Sequence, residues 1–161
     1  MALSAPRDTK EMASPLAFRH EVLGATSEQF YKGQLVAIDP ADGRLYPAVA
    51  ADTTLIVVGR CEETYTTGAS ETTKKIKFKS GIFNYASGTE GEAIAADDRG
   101  KICYVLDDES VGISGNSAAN AVAGTVYDVD SYGVWVATFF PVSIRGPVGP
   151  TGPTGPTGPG A

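Results

Sequence analysis

Residues 34–46 read QLVAIDPADGRLY, and this stretch predicts a β-hairpin. An apolar run ends at Asp39-Pro40, and proline lacks the backbone N–H that a strand interior needs. Asp42-Gly43 then supplies the positive φ angles of a hairpin turn before Leu45 starts a second apolar run. The stretch therefore indicates antiparallel β-structure.

Similar short runs of apolar and aromatic residues continue through the chain, separated by turn residues at the spacing of about 8 to 12 residues typical of all-β proteins. Gly100, Gly124 and Gly133 each directly precede such a run, as expected where the chain reverses. No segment keeps a 3.6-residue apolar period, and residues 116–123 fit a loop or a short helix equally well. We therefore predict an all-β fold, with further strands at residues 54–58, 74–79, 101–106, 125–129 and 133–140.

Residues 146–161 read GPVGPTGPTGPTGPGA, five consecutive Gly-Pro-X triplets. This period is typical of the collagen triple helix, in which three polyproline II chains wind together and only glycine fits at the axis. The pattern predicts a homotrimer with a C-terminal collagen-like (polyproline II) tail; a disordered Pro/Gly linker is the alternative. The predicted triple-helix glycines are Gly146, Gly149, Gly152, Gly155 and Gly158.

The chain is long enough for one domain with a single core. We expect an extended N-terminal arm at residues 1–17, a β-rich trimeric domain at 18–145 and the collagen-like tail at 146–161. Five triplets are too few to trimerise alone, so the domain is expected to hold the three tails at high local concentration. The tail would then project as a hydrophilic spike, away from whatever the domain is attached to.

Composition excludes several classes of partner. The net charge of −6 argues against a general nucleic-acid binder, which is normally basic. The N-terminal residues contain no apolar run of a secretory signal, and no stretch reaches the roughly 20 apolar residues of a membrane helix. We expect a protein made in a cytoplasm that leaves it only as part of something larger, with no membrane partner.

The sequence shows no convincing catalytic or metal-binding pattern. The single histidine, His20, has no nucleophile motif beside it and cannot build a zinc site with the distant Cys61 and Cys103. The acidic pairs and triplets at 62–63, 97–98 and 107–109 do not follow the calcium-loop spacing and are interpreted as solvated turns. We predict a protein that is not an enzyme, with no catalytic residue, metal or cofactor.

The two cysteines lie in apolar strand-like runs without a CxxC spacing. Buried free thiols that pack as small hydrophobic side chains are the preferred interpretation. A disulfide between them remains geometrically possible.

Residues 74–79 read KKIKFK and predict a strand with two different faces. Ile76 and Phe78 point to one side, while Lys75, Lys77 and Lys79 point to the other. The lysines form either a solvated face that discourages edge pairing or a basic stripe that docks on an acidic partner surface.

Several stretches together resemble the small capsid decoration (head cement) proteins of tailed bacteriophages. They cover about residues 20 to 140: YKGQLVAID at 31–39 with DGRL at 42–45, LIVVGR at 55–60, GTVYDVD at 124–130 and GVWV at 133–136. The resemblance implies a small barrel-like or β-tulip-type domain that is trimeric and sits at threefold or quasi-threefold positions of the expanded head. Such proteins tie neighbouring major capsid subunits together, often through an N-terminal arm.

The resemblance implies a structural protein of the outer capsid surface, assembled in the host cytoplasm, with the major capsid protein as its partner. The tail could then contact the host surface or the environment. The expected capsid contacts are apolar anchors of the arm and, as an electrostatic candidate, the lysine strand: Leu3, Leu16, Phe18, Lys75, Lys77 and Lys79. The alternatives are a trimeric fibre or adhesin module with a collagen-like stalk and a trimeric enzyme of dUTPase-like shape.

Overall fold

The computed structural model describes residues 4–6, 11–12, 18–113 and 119–138, with the backbone alone described at 11–12, 18 and 19. These residues form twelve strands and two short 3-10 turns, and they contain no α-helix. The strands are β1 (Glu11–Met12), β2 (Phe18–Leu23), β3 (Gln29–Phe30), β4 (Leu35–Asp39), β5 (Arg44–Pro47), β6 (Ile56–Cys61), β7 (Tyr65–Thr66), β8 (Lys75–Ser87), β9 (Ile102–Val105), β10 (Ser110–Gly112), β11 (Val122–Asp130) and β12 (Gly133–Thr138). The predicted all-β class is confirmed.

Five strands close into a barrel. Going round it, β8 pairs with β12, β12 with β11, β11 with β9, and β9 with β10, all antiparallel. A short parallel pairing of β10 with the end of β8, Ser110 opposite Ala86, completes the ring. Closure leaves the barrel no free edge, which removes the liability of unpaired strands. The prediction of a barrel-like domain is therefore confirmed.

Four other strands, β2, β4, β5 and β6, form a second layer on the first part of β8, while β3 and β7 pair with each other as a separate two-stranded sheet. The strand β2 pairs along one side of residues 75–80, while β6, β4 and β5 follow one another on the other side. A parallel bridge between Gly24 and Leu45 joins the end of β2 back to β5. We call this layer the sheet half and the closed ring the barrel half. The 13-residue β8 belongs to both.

Two apolar cores fill the two halves, and β4 and β6 lie between them. Leu35 and Val57 pack with the barrel residues, whereas Val36 and Val58 pack with Phe78 in the second core. Because successive side chains of a strand point to opposite faces, both faces of these strands are covered. This explains why the sequence shows continuous apolar runs there and not an alternation.

Two glycines allow the chain to bend where strands approach closely. Gly59 (φ 150°) and Gly124 (φ 157°) each lie at a register shift, and a Cβ there would come 2.1 Å from the Lys79 carbonyl oxygen and 2.4 Å from that of Ala137. The prediction that Gly124 precedes a strand is wrong, since it lies inside β11. The physical reason is that glycine also marks a bulge, where no side chain fits.

Other strand predictions agree with the structure except at their boundaries. The hairpin at 34–46 is confirmed as β4 and β5, with the Gly43 N–H donating to the Asp39 carbonyl at 2.8 Å. The lysine strand continues to Ser87, eight residues beyond its predicted end, because residues 80–85 are buried and lack alternation. Of the open segment 116–123, the last two residues belong to β11, and 116–118 lie outside the described residues.

Part of the predicted arm pairs with its own domain. In β1, Glu11 lies opposite Phe83 and Met12 opposite Ile82 of β8. Ser4 lines a groove beside Pro47 and Asp107. The predicted anchors Leu3 and Leu16 and all five triple-helix glycines lie outside the described residues, and Phe18 is described only as the first residue of β2.

Candidate interaction surfaces

The lysine strand has the two faces that its sequence predicts. Ile76 and Phe78 are fully buried, Lys75 and Lys77 are exposed, and Lys79 is half-buried. In the register with β2, Lys77 lies opposite Glu21, and its Nζ is 3.9 Å from the Glu21 Oε1. The three predicted lysines are therefore brought together along one strand, next to an acidic side chain.

Further carboxylates reduce the positive charge around this strand. The Lys74 ammonium group lies 2.9 Å from the Glu63 Oε2, which raises the pKa of Lys74. The buried Arg60 guanidinium donates to Glu62 at 2.6 Å and lies 4.5 Å from the centre of the Phe83 ring. The surface is thus of mixed charge, which suits a partner of mixed charge better than a uniformly acidic one.

His20 lies in a groove of about 490 Å³ lined by Glu21, Glu62, Lys77 and Phe78. Its imidazole stacks on the Phe78 ring with 5.2 Å between the ring centres. None of the five described lining residues carries a hydroxyl or thiol nucleophile. The groove can hold a small charged group through ionic contacts with Lys77, Glu21 and Glu62.

Both cysteines are buried free thiols, as predicted. Burial raises the pKa of Cys61 and that of Cys103 to about 12. The Cys61 Sγ lies 3.1 Å from the Glu63 carbonyl oxygen, and the Cys103 Sγ lies 3.6 Å from that of Gly124. Each thiol packs in a different core, so neither is available as a nucleophile.

The acidic turns around β9 stabilise the local backbone. The Asp98 carboxylate accepts a hydrogen bond from the Lys101 Nζ at 2.8 Å and one from the Ala95 N–H at 2.8 Å, and these contacts lower its pKa. Asp98 and Asp108 are buried, so the prediction of solvated turns is wrong for these two residues. In the described part of the chain, no three His, Cys, Asp or Glu side chains are grouped to hold a metal ion.

A second surface, which the sequence pattern does not single out, covers the outside of β9 and β11. Ile102 is 52 % exposed, Val122 49 % and Tyr127 50 %. In the register, Ile102 lies opposite Thr125 and Tyr104 opposite Val122, and Ile56 shares a groove of about 320 Å³ with Val122. We call this surface the outer face; its members are Ile56, Ile102, Tyr104, Val122, Thr125 and Tyr127.

The outer face has an uncharged centre and ion pairs at its edge. Lys101 pairs with Asp98 at 2.8 Å, and Arg99 pairs with Asp128 at 2.6 Å. An apolar centre with a charged rim is the usual anatomy of a protein interface. The sequence did contain an indication, because in the run ICYV at 102–105 both alternating sets of side chains are apolar.

Helices long and apolar enough to cross a bilayer are absent from the described residues. Comparison of the chain with protein-family models, with curated proteins and with solved structures finds no match.

Proposed function

We propose that this chain is a trimeric, β-tulip-type decoration protein that binds the outer surface of an expanded phage head and bridges neighbouring major capsid subunits. It would be assembled in the host cytoplasm and carried on the virion, with its collagen-like tail directed outward. The sequence resemblance to head cement proteins suggests the partner. The all-β barrel agrees with the fold that this resemblance implies.

The observation that carries the proposal is the order of two elements along the chain. The barrel ends at Thr138, and the first triplet glycine, Gly146, follows after only seven residues. A triple helix needs three chains around one axis. A compact β-domain placed so close to such a run fits a trimeric head that nucleates the winding of three tails.

The surfaces favour adhesion over chemistry. The described residues offer a mixed-charge strand and an uncharged outer face, both suited to contact with another protein. A protein that binds only the expanded shell stabilises that shell by mass action. Modest affinity for each protomer is enough when three symmetric contacts engage together.

Co-sedimentation of the purified chain with expanded and unexpanded shells of its parent virus tests the proposal. We expect saturable binding to expanded shells alone, in multiples of three copies per site. Deletion of residues 146–161 should leave this binding intact, because the tail faces outward. Binding to neither shell by a protein that is trimeric in solution would overturn the proposal in favour of the fibre or adhesin module.

The role of the arm in shell binding is tested with a truncation that leaves the strands of the domain in place. Because β1 pairs with β8, removal of residues 1–15 would also remove a strand of the domain. Deletion of residues 1–10 keeps β1, and we expect it to abolish shell binding while the trimer persists. Retained binding would contradict the arm contact and would favour the lysine strand as the capsid contact. The triple variant Lys75→Gln, Lys77→Gln, Lys79→Gln would then test that strand.

A further inference from the structure

The outer face contains four of the six large hydrophobic side chains that are exposed among the described residues: Ile56, Ile102, Val122 and Tyr127. Five of its six members are aliphatic or aromatic, the sixth is Thr125, and none of the six carries a charge. An exposed apolar group of this kind, with ion pairs at its edge, is typical of a surface that is covered by a partner. The remaining question is which partner covers it.

The path of the chain after β12 indicates that the partner is another copy of this chain. Ala137 lies directly opposite Thr125, so β12 ends at Thr138 beside the part of β11 that contains Gly124 and Val122. The chain therefore leaves the barrel next to the outer face. The end of β12 and the apolar side chains lie at the same place on the molecule.

Chain length then limits where three copies can lie. Eight residue steps join Thr138 to Gly146, and an extended chain covers at most about 3.5 Å per step, or about 28 Å in all. If three chains wind around one axis from Gly146, the three Thr138 residues must lie within that distance of the axis. This limit favours the surface beside Thr138, which includes Val122, as the one that faces the axis.

We propose that the outer face is the contact through which three copies of this chain assemble. This inference rests on the trimer of the proposed function and assigns the surface that builds it. Hydrophobic burial around Val122 and Ile102 would hold the heads together, and the ion pairs of Asp98 and Asp128 would lie at the rim. The lysine strand is the first part of β8 and pairs with β2, not with β9 or β11, so it stays available for another partner.

Light scattering on the full chain, coupled to size exclusion, tests the assignment. Val122→Asp places a charge in the centre of the face, and Val49→Asp is its matched control, because both valines are 49 % exposed and only Val122 lines the groove with Ile56. We expect the wild type and Val49→Asp to have three times the 16.7 kDa chain mass. The Val122→Asp trimer should dissociate to monomers at protein concentrations at least about tenfold higher than those at which the wild-type trimer dissociates. Its circular dichroism spectrum should be unchanged.

Chemical cross-linking gives a second readout if Val122→Asp fails to fold. The variant Val122→Cys introduces an accessible thiol, whereas the native Cys61 and Cys103 are buried. A short bis-maleimide should cross-link Val122→Cys into dimers and leave Val49→Cys as single chains. Absence of the Val122→Cys cross-link would overturn the assignment.

The outcomes separate the two proposals. A wild-type chain that is monomeric at every concentration would overturn the trimer and with it both proposals. A wild-type trimer that Val122→Asp does not weaken would overturn the outer-face assignment alone. If that variant stays trimeric but no longer binds expanded shells, the outer face contacts the capsid and our assignment is wrong.

Discussion

The two halves of the molecule share β8 but present different surfaces. In the sheet half, lysines alternate with buried apolar residues, so the strand has one solvated and one packed face. In the barrel half, apolar side chains cover the inside of β9 and β11 and also much of their outside. The lysine strand of the sheet half therefore has a face suited to water, whereas the barrel half, together with Ile56 of β6, exposes an apolar face suited to a partner.

The largest expected effects test whether the halves unfold as one unit. Phe78→Ala empties the second core and Phe83→Ala the barrel core; both side chains are fully buried. We expect each to lower the free energy of unfolding by about 3–5 kcal/mol. Because β8 runs through both cores, each variant should shift a single transition in urea.

Two spectroscopic probes at one protein concentration can check this cooperativity. The single tryptophan, Trp135, lies in β12 and reports on the barrel half by fluorescence, while circular dichroism reports on all strands. Phe78→Ala should move both signals together. A tryptophan transition that stays at its wild-type midpoint while circular dichroism shifts would show that the halves unfold separately.

The next effect compares the two bulge glycines, one in each half. Gly59→Ala and Gly124→Ala force a Cβ against a carbonyl oxygen at a backbone conformation that alanine rarely adopts. We expect each to cost about 3 kcal/mol or more, measured by urea unfolding. Gly91→Ala is the control, because no atom lies within 4 Å of its added methyl group, and it should stay within about 0.5 kcal/mol of the wild type.

The sequence predicts the buried and exposed residues of a strand well only where one face of that strand lies in water. The alternation in KKIKFK follows from one face in water, so the prediction of its buried and exposed residues is confirmed. Residues 80–85 and the run QLVAI are covered on both sides. Their apolar pattern therefore shows neither which core each side chain faces nor where each strand ends. The outer face was missed because an exposed apolar side chain has the same identity as a buried one.

The sequence also does not predict which strands pair when they are far apart along the chain. Closure of the barrel depends on β10 lying beside the end of β8, a contact between residues 110–111 and 86–87 that no local pattern encodes. The same holds for β1, which occupies the remaining stretch along that side of β8. The residue types predict the strands, whereas the packing of the two cores selects their neighbours.

The stability of the barrel half at low pH depends on Asp98, at the rim of the outer face. Hydrogen bonds from Lys101 and the Ala95 N–H hold the pKa of Asp98 below its ordinary value of 3.8. Its stabilisation is therefore complete above pH 3.8 and is lost as the pH falls through the lower pKa of the folded state. Thermal unfolding followed from pH 6 downward should show a smaller acid-induced decrease in Tm for Asp98→Asn than for the wild type.

A second substitution separates the charge of Asp98 from its role in the turn. Asp98→Asn keeps an oxygen for the Ala95 N–H, whereas Asp98→Ala removes both contacts. At neutral pH, Asp98→Ala should therefore have the lower Tm of the two. Equal Tm values would contradict the backbone contact described for this carboxylate.

The smallest effect is expected on the solvated surface of the sheet half. The Lys77–Glu21 pair is 3.9 Å long, and both side chains are more than half exposed, so Lys77→Ala should change the free energy of unfolding by less than about 0.5 kcal/mol. Lys74→Ala, which loses a 2.9 Å ion pair and a contact with the Tyr65 ring, should cost more, about 1 kcal/mol. Urea midpoints in the reverse order would contradict the geometry.

The shared strand also decides how the domain carries a mechanical load. β1 and β2 run antiparallel to β8 along one side, and β12 runs antiparallel to it along the other. A pull between the N-terminal side of β1 and Thr138 therefore acts along the strands and loads the two hydrogen-bond ladders in shear. Bonds loaded in shear share the force and fail together, whereas bonds that are peeled apart fail one at a time. A domain anchored at one terminus and pulled at the other would thus transmit tension through β8.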